Sequence, residues 1–291
     1  MRQHITRAAR LLGVLVAGAC LAGTAGAATF YNGWYYAIDS SNDGSGGSNY
    51  EYRGLAFTTK NGRIYVGISS GMPVNGNAES GALNGRINHG DMFFNFTGNN
   101  LNSAAAFNQP GVFGVRFDPL NDSLGNIGGS NTTLGVFDQL TVVNLSTLNQ
   151  GFPTLLDYNN AGFGRTVDAM ADLESTLGDV AAYFGTGTMY PNIQSGRYLG
   201  GITLHNRAQL IAQGLNFGHF GIDLGTNRVF GFSFDQSLLP GGDFTMHLFQ
   251  ECINDGMALR GANVPEPGTY ALLGAGVLTA AGVFYRRRAR R

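Results

Sequence analysis

Short runs rich in aromatic and β-branched residues recur along this chain, separated by turns in which glycine follows Asn or Asp. The runs are WYYAI (34–38), RGLAFTT (53–59), RIYVGISS (63–70), DMFFNF (91–96), GVFGVRF (111–117), QLTVV (139–143), GITLH (201–205), FGHFGIDL (217–224), NRVFGFSF (227–234) and DFTMHLFQE (243–251). Several alternate with period two. Val229, Gly231 and Ser233 take one face of their run, and Phe230, Phe232 and Phe234 take the other. Phe244, Met246 and Leu248 likewise oppose Thr245, His247 and Phe249. Pairs such as Asn32-Gly33, Asn61-Gly62 and Asp255-Gly256 supply the positive φ of tight hairpin turns. This pattern predicts an all-β fold, a jelly-roll-like β-sandwich. One stretch departs from it. Residues 168–184 place Ala169, Met170, Leu173, Leu177, Val180, Ala181 and Phe184 at helical spacing, with Gly178 between two short helices and Ser175 as a cap of the second. A short helical insertion packed on the sandwich is expected there.

The two ends carry a different signal. Thr269 to Tyr285 holds no charge and is followed by Arg286, Arg287, Arg288, Arg290 and Arg291. At about 1.5 Å per residue, a transmembrane helix over 269–285 spans roughly 26 Å. The arginines of the 286–291 tail hold the cytoplasmic side, leaving the upstream chain outside. Pro265 and Pro267 keep the chain before the span extended, in a form that a protease grips. Val264, Pro265, Glu266 and Pro267, followed by span and arginines, resemble the PEP-CTERM sorting tail, with the motif over 263–268. The resemblance implies processing by an exosortase, a membrane protease. A plain C-terminal anchor is the alternative. At the other end, Arg2, Arg7 and Arg10 precede the apolar stretch 11–22. Ala25-Gly26-Ala27 then forms an A-x-A site, so residues 1–27 read as a signal peptide that signal peptidase cuts before Ala28. A lipoprotein signal ending at Cys20 fits less well, because Ala17 stands where a lipobox prefers Leu.

These segments change the charge balance. The whole chain is −1; setting aside three arginines of the signal, five of the tail and Glu266 leaves 10 basic and 18 acidic residues in 28–264, a net charge of about −8. Lys60 is the one lysine. Such a surface lacks the basic footprint of a nucleic-acid binder. Residues 28–262 suffice for one large domain, and Gly261 to Pro267 would tether it to the membrane. Cys252 is the one cysteine of that domain, so no disulfide forms within it; a buried thiol or an intermolecular bridge is expected.

Signatures of catalysis are sparse. Gly67-Ile68-Ser69-Ser70-Gly71 fits G-x-S-x-G, but Met72-Pro73-Val74-Asn75-Gly76 follows as a turn where a nucleophile elbow needs a helix. His89, His205, His219 and His247 lie too far apart in sequence for a local metal pair. In the loop 39–51, Asp39, Ser41, Asp43 and Gly44 take positions 1, 3, 5 and 6 of an EF-hand-like count, which brings oxygens to one side of a turn as Ca²⁺ requires. Tyr50 stands at position 12 and Glu51 one place late, so a looser calcium loop or a plain polar hairpin is expected. Asp118, Asn121 and Asp122 form a second, weaker oxygen-rich loop. Trp34, Tyr35, Tyr36, Tyr50 and Tyr52 flank the first loop; aromatic faces beside Asp and Asn suit sugars, and core packing is their ordinary role.

The segments GWYYAIDSSNDGSGGSNYEYRGLAF (33–57), IYVGISSGMPVNG (64–76), GDMFFNF (90–96), GFSFDQSLLPGGDF (231–244) and ECINDGMALRG (251–261) resemble a group of exosortase-dependent bacterial surface proteins. That resemblance implies an exported chain, passing through the inner membrane to the cell surface or extracellular matrix, with no biochemical activity attached. A non-enzymatic surface or matrix protein associated with exopolysaccharide, biofilm or floc formation is therefore expected. The alternatives are a calcium-dependent, lectin-like carbohydrate-binding module and a secreted polysaccharide hydrolase. The hydrolase would need two close carboxylates or a histidine-centred triad in a cleft.

Overall fold

The computed structural model describes residues 28–39, 47–125, 131–161 and 177–264. The chain opens with a four-stranded meander: β1 (Thr29–Tyr31), β2 (Trp34–Ile38), β3 (Tyr52–Lys60) and β4 (Arg63–Ser70). Asn32-Gly33 joins β1 to β2 and Asn61-Gly62 joins β3 to β4, and all four residues have positive φ. A small ladder of β5 (Asn77–Ala78) and β6 (Arg86–Ile87) follows. A second meander then runs through β7 (Met92–Asn95), β8 (Val112–Arg116), β9 (Gly135–Val143) and β10 (Asn192–Gly200). Helices α1 (Leu155–Asn160) and α2 (Leu177–Phe184) lie between β9 and β10. Each meander is next widened by a returning hairpin. β11 (Thr203–Asn206) and β12 (Val229–Asp235), with α3 (Arg207–Ala212) between them, join the first sheet beside β4. β13 (Gly242–Phe249) and β14 (Gly256–Asn263) join the second beside β7. The sheet orders are β1-β2-β3-β4-β12-β11 and β10-β9-β8-β7-β13-β14. Each sheet has six strands, where a jelly roll has four.

Apolar side chains form three layers. Leu55, Phe57, Ile64, Val66, Phe230, Phe232 and Phe234 of the first sheet meet Met92, Phe94, Val115, Phe244, Met246, Leu248 and Leu259 of the second in the core between the sheets. The outer face of the first sheet buries Trp34, Tyr36 and Val229 under Leu210, Leu215 and Phe217. The outer face of the second buries Phe93, Leu140 and Phe249 under Phe107, Leu155, Val180 and Phe184. This double covering explains why both faces of β13 are apolar: Phe244, Met246 and Leu248 point inward and Phe249 packs outside. α3 starts on a capping box, in which the Asn206 side chain accepts from the Gln209 N–H and Gln209 returns the bond.

The alternation read in 229–234 and 244–249 holds in the structure. Residues 217–224 depart from expectation. Phe217–Phe220 is a 3-10 turn, because the Asn216 side chain accepts from the His219 N–H and Gly221 stops the turn with positive φ. The tether expected to begin at Gly261 is also corrected. Gly261, Ala262 and Asn263 pair with Phe244, Asp243 and Gly242, so the domain runs through 263 rather than ending at 262. Within the expected helical insertion, α2 covers Leu177–Phe184, with Val180, Tyr183 and Phe184 buried; positions 168–176, including Ser175, lie outside the described residues. Among the described residues no helix is long and apolar enough to cross a membrane, and 269–285 lies outside them.

Candidate functional site

One end of the sandwich buries a concentration of polar side chains that is unusual for a protein interior. Asp91 precedes β7, Arg116 ends β8, Asn192 begins β10, and Glu251 and Asp255 lie in the β13–β14 connection. The sheet register brings these positions to one end of the second sheet, and the loop 117–123 folds across them. Asp91, Asp118, Asp122, Glu251, Asp255 and Arg116 are all buried.

Every carboxylate meets donors. Asp91 accepts from the Asn121 amide at 3.0 Å, the Ser123 hydroxyl at 2.6 Å and the Ile193 N–H at 2.6 Å. Asp118 accepts from the N–H groups of Leu120 at 2.9 Å and His89 at 3.3 Å. Glu251 Oε1 accepts from the Asp122 N–H at 2.5 Å and Asn192 at 3.0 Å, and Oε2 from the Asn88 N–H at 3.1 Å. Asp122 accepts from Asn84 at 2.9 Å and Asn149 at 3.2 Å. Asp255 accepts from the N–H of Tyr52 at 2.5 Å and of Gly256 at 2.7 Å, which ties the first sheet to the cluster. Arg116 fills its five donor positions with oxygens of that loop and of the segment before β9: Nε on Asn121 Oδ1, Nη1 on Asn131 Oδ1 and the Thr133 carbonyl, and Nη2 on the carbonyls of Pro119 and Asn121.

Burial dominates the electrostatics. It pushes Asp91 up to about 6 and Asp118 up to about 7, against the donors and the Arg116 charge that pull both down. Burial also lifts Glu251 well above the carboxylate range, reinforced by the charges of Asp122 and Asp118. Burial lowers the Arg116 pKa, opposed by those same acids. Burial therefore biases Asp91, Asp118 and Glu251 toward their protonated forms. The cluster's chemistry is to pin loops from both sheets: the carboxylate oxygens are spent on neighbouring donors, and no described group of three His, Cys, Asp or Glu side chains could hold a metal ion.

The residues singled out in the sequence are dispersed. Asp39 is buried at the end of β2 and donates its N–H to the Arg53 carbonyl at 3.2 Å, while Ser41 and Asp43 lie outside the described residues. Asp118, Asn121 and Asp122, the weaker loop, face into the buried cluster. Trp34, Tyr36 and Tyr52 are buried, as core packing requires. Ser69 is buried in β4 and donates to the Ile222 carbonyl, an arrangement unlike a nucleophile elbow. Cys252 is a buried free thiol.

The histidines do not converge. His89 sits in the polar cluster, and His219 stacks on Tyr31 with ring centroids 3.9 Å apart. His247 lies among Phe93, Phe107, Tyr183, Phe184 and Phe249, with neither ring nitrogen hydrogen-bonded. His205 Nε2 lies 2.7 Å from Ser233 Oγ, which also receives Arg63 Nη2 at 2.9 Å. That pair resembles a serine–base dyad only in distance. Ser233 is buried, and burial and the Arg63 charge both lower the His205 pKa, which weakens it as a base.

At the opposite end of the sandwich the chain leaves the fold under restraint. Gln236 Nε2 donates to Asn263 Oδ1 at 2.8 Å and to the Val264 carbonyl at 3.2 Å. Thr59 Oγ1 reaches the same carbonyl at 3.4 Å, and Asn263 Nδ2 donates to the Pro240 carbonyl at 2.8 Å. Beside this exit lies an open pocket of about 310 Å³, lined by Gly62, Asp235, Gln236, Ser237, Leu239, Gly241 and Asn263. Of the expected processing residues, Val264 is therefore part of the fold, and Pro265, Glu266 and Pro267 lie outside the described residues. Ala28 packs against the inner core, and Ala25 and Ala27 lie outside the described residues.

No curated protein and no solved structure matches this chain. The restrained exit at Asn263 and Val264 coincides with a family match over 263–291: this chain carries a PEP-CTERM protein-sorting motif, the mark of an exported protein sorted by an exosortase toward the cell surface.

Proposed function

We propose that the chain is a non-enzymatic surface or extracellular-matrix protein that associates with exopolysaccharide and contributes to biofilm or floc formation. The sorting motif carries this reading, because it sends a large acidic β-domain to the outside of the cell. The disposition of the polar groups supports it. The clustered carboxylates are buried and spent on loop hydrogen bonds, and in the Ser233–His205 pair the serine is buried, while burial and the Arg63 charge weaken the histidine as a base. At the surface, Phe30 is 63% exposed at the sheet edge, with Tyr35 edge-on at 5.0 Å, and Tyr198 is 51% exposed on β10. Exposed rings of this kind stack on sugar faces.

Deletion of the gene in the native host should reduce floc or biofilm mass, and expression in trans should restore it. The purified domain should co-sediment with the host's exopolysaccharide, less so as Phe30→Ala with Tyr198→Ala. Unchanged aggregation together with no co-sedimentation would reject the proposal, as would release of sugar fragments by the purified domain.

A further inference from the structure

The sorting motif begins where the fold ends, with no spacer between them. β14 pairs with β13 to its last residue, Asn263, and the next carbonyl, Val264, is held by Gln236 and Thr59. Pro265, Glu266, Pro267 and Gly268 then separate Val264 from the apolar stretch that starts at Thr269. Five Cα–Cα steps reach at most about 18 Å when fully extended. Two of the four intervening residues are prolines, which stiffen the segment. A membrane enzyme that grips Pro265 to Pro267 must therefore work within about 10 Å of the atoms around Val264. Those atoms belong to the exit end of the sandwich: the Asn61-Gly62 turn, the Asp235–Gly242 connection and the end of β14. Asn61, Gly62, Asp235, Ser237, Gly241 and Gly242 are exposed there, around the 310 Å³ pocket.

We propose that this exit end is a docking surface for the exosortase, and that the Gln236–Thr59 clamp on Val264 presents the motif in fixed register with it. The inference rests on the sorting motif and is independent of the exopolysaccharide reading. It makes the folded domain part of the recognised substrate, so the enzyme reads more than the tail. The chemistry of the surface suits that use. It is formed by exposed turn backbone and small polar side chains, so a partner meets solvent-facing polar groups with little side-chain entropy to lose.

The test uses the full chain in its native host, following conversion of the tail-bearing form to the tail-less form by pulse-chase. A twelve-residue Gly-Ser insert between Val264 and Pro265 leaves every described contact of the fold in place. It should slow conversion at least threefold, by separating motif from surface. Ser237→Arg with Gly241→Arg crowds the pocket from exposed positions, and a Cβ at Gly241 would meet its nearest neighbour at an ordinary 3.5 Å. This double change should slow conversion comparably in the native chain and have no further effect in the chain with the insert. Leu148→Arg, an exposed position at the far end, should convert at the wild-type rate. Equal or faster conversion of the insert chain, or wild-type conversion of the pocket variant, overturns the proposal. If the unaltered chain keeps its tail, sorting itself fails and this inference falls with it; the exopolysaccharide assays are scored separately.

Discussion

The Tyr52 hydroxyl lies 2.8 Å from Nδ1 of His89, and Nε2 of the same ring lies 3.1 Å from the Pro73 carbonyl. A carbonyl cannot donate, so the ring carries its proton on Nε2 and accepts the tyrosine proton at Nδ1. The imidazole is thus held neutral with both nitrogens used. Burial lowers its pKa to about 3, and protonating Nδ1 would also break the Tyr52 bond. Tyr52→Phe should cost about 1–3 kcal/mol, because it leaves a buried acceptor unmet. The same change should raise the His89 pKa. Urea denaturation measures the first effect and NMR titration of the imidazole C–H the second. A variant as stable as wild type would show that the bond contributes nothing.

The pH dependence of stability has two opposed limbs. A carboxylate whose pKa rises on folding contributes fully below its unfolded value and loses that contribution as pH climbs through the folded one. For Asp91 and Asp118, at about 6 and about 7, the loss runs from about pH 4 to above 7. His89 and His247, both lowered to about 3 by burial, contribute fully above about 6.5 and lose it as pH falls toward 3. The two sets oppose each other between about pH 4 and 6.5; above that range only the carboxylates titrate. Stability should therefore fall from pH 6.5 to pH 8, by about 1 kcal/mol through Asp118 alone. Asp118→Asn should make this limb shallower. It should also lower stability throughout, since an amide cannot accept from both His89 and Leu120 on separate oxygens. A melting temperature that rises between pH 6.5 and 8 would contradict the assignment.

The inner core was legible in the sequence, and the polar cluster was not. Phe230, Phe232 and Phe234 declare a buried face by period alone, and Asn-Gly pairs mark the hairpins. β10 hid because Gln194, Ser195 and Arg197 are exposed on an edge strand broken by register shifts, so nothing alternates. Asp91, Arg116, Asn192 and Glu251 stand far apart in the chain, each beside a strand end where a polar residue is ordinary. Only the pairing of the second sheet gathers them. One local signal existed in Asp118, Asn121 and Asp122, whose oxygens turned out to face inward.

Cys252 is fully buried, and burial raises its pKa well above the thiol range, with the Glu251 charge adding to the effect. An intermolecular bridge through it would require the β13–β14 connection to open. The native domain should resist thiol-specific reagents and run as a monomer on non-reducing gels, with labelling appearing only as urea unfolds it. Rapid labelling without denaturant would mean that this end of the sandwich opens readily.

Arg116 gives the sharpest test of the buried cluster. Its guanidinium spreads five donors over five oxygens and neutralises part of the charge of four acids. Arg116→Lys keeps the charge but offers three donors from one nitrogen, so at least two of the five oxygens lose their bond to residue 116. The two Asn121 oxygens are buried and the other three only partly so; at about 1–3 kcal/mol for a buried bond lost, the cost should be on the order of 1–3 kcal/mol. Arg116→Met removes the charge as well. The Arg116 charge lowers the pKa of both Asp91 and Asp118, so without it both should hold their protons to higher pH. The methionine variant should therefore be less stable than the lysine variant, and its stability should decline at higher pH than in wild type. Thermal scans of both variants from pH 5 to 9 separate the two effects. Equal pH profiles for lysine and methionine would mean that Arg116 acts through its hydrogen bonds alone.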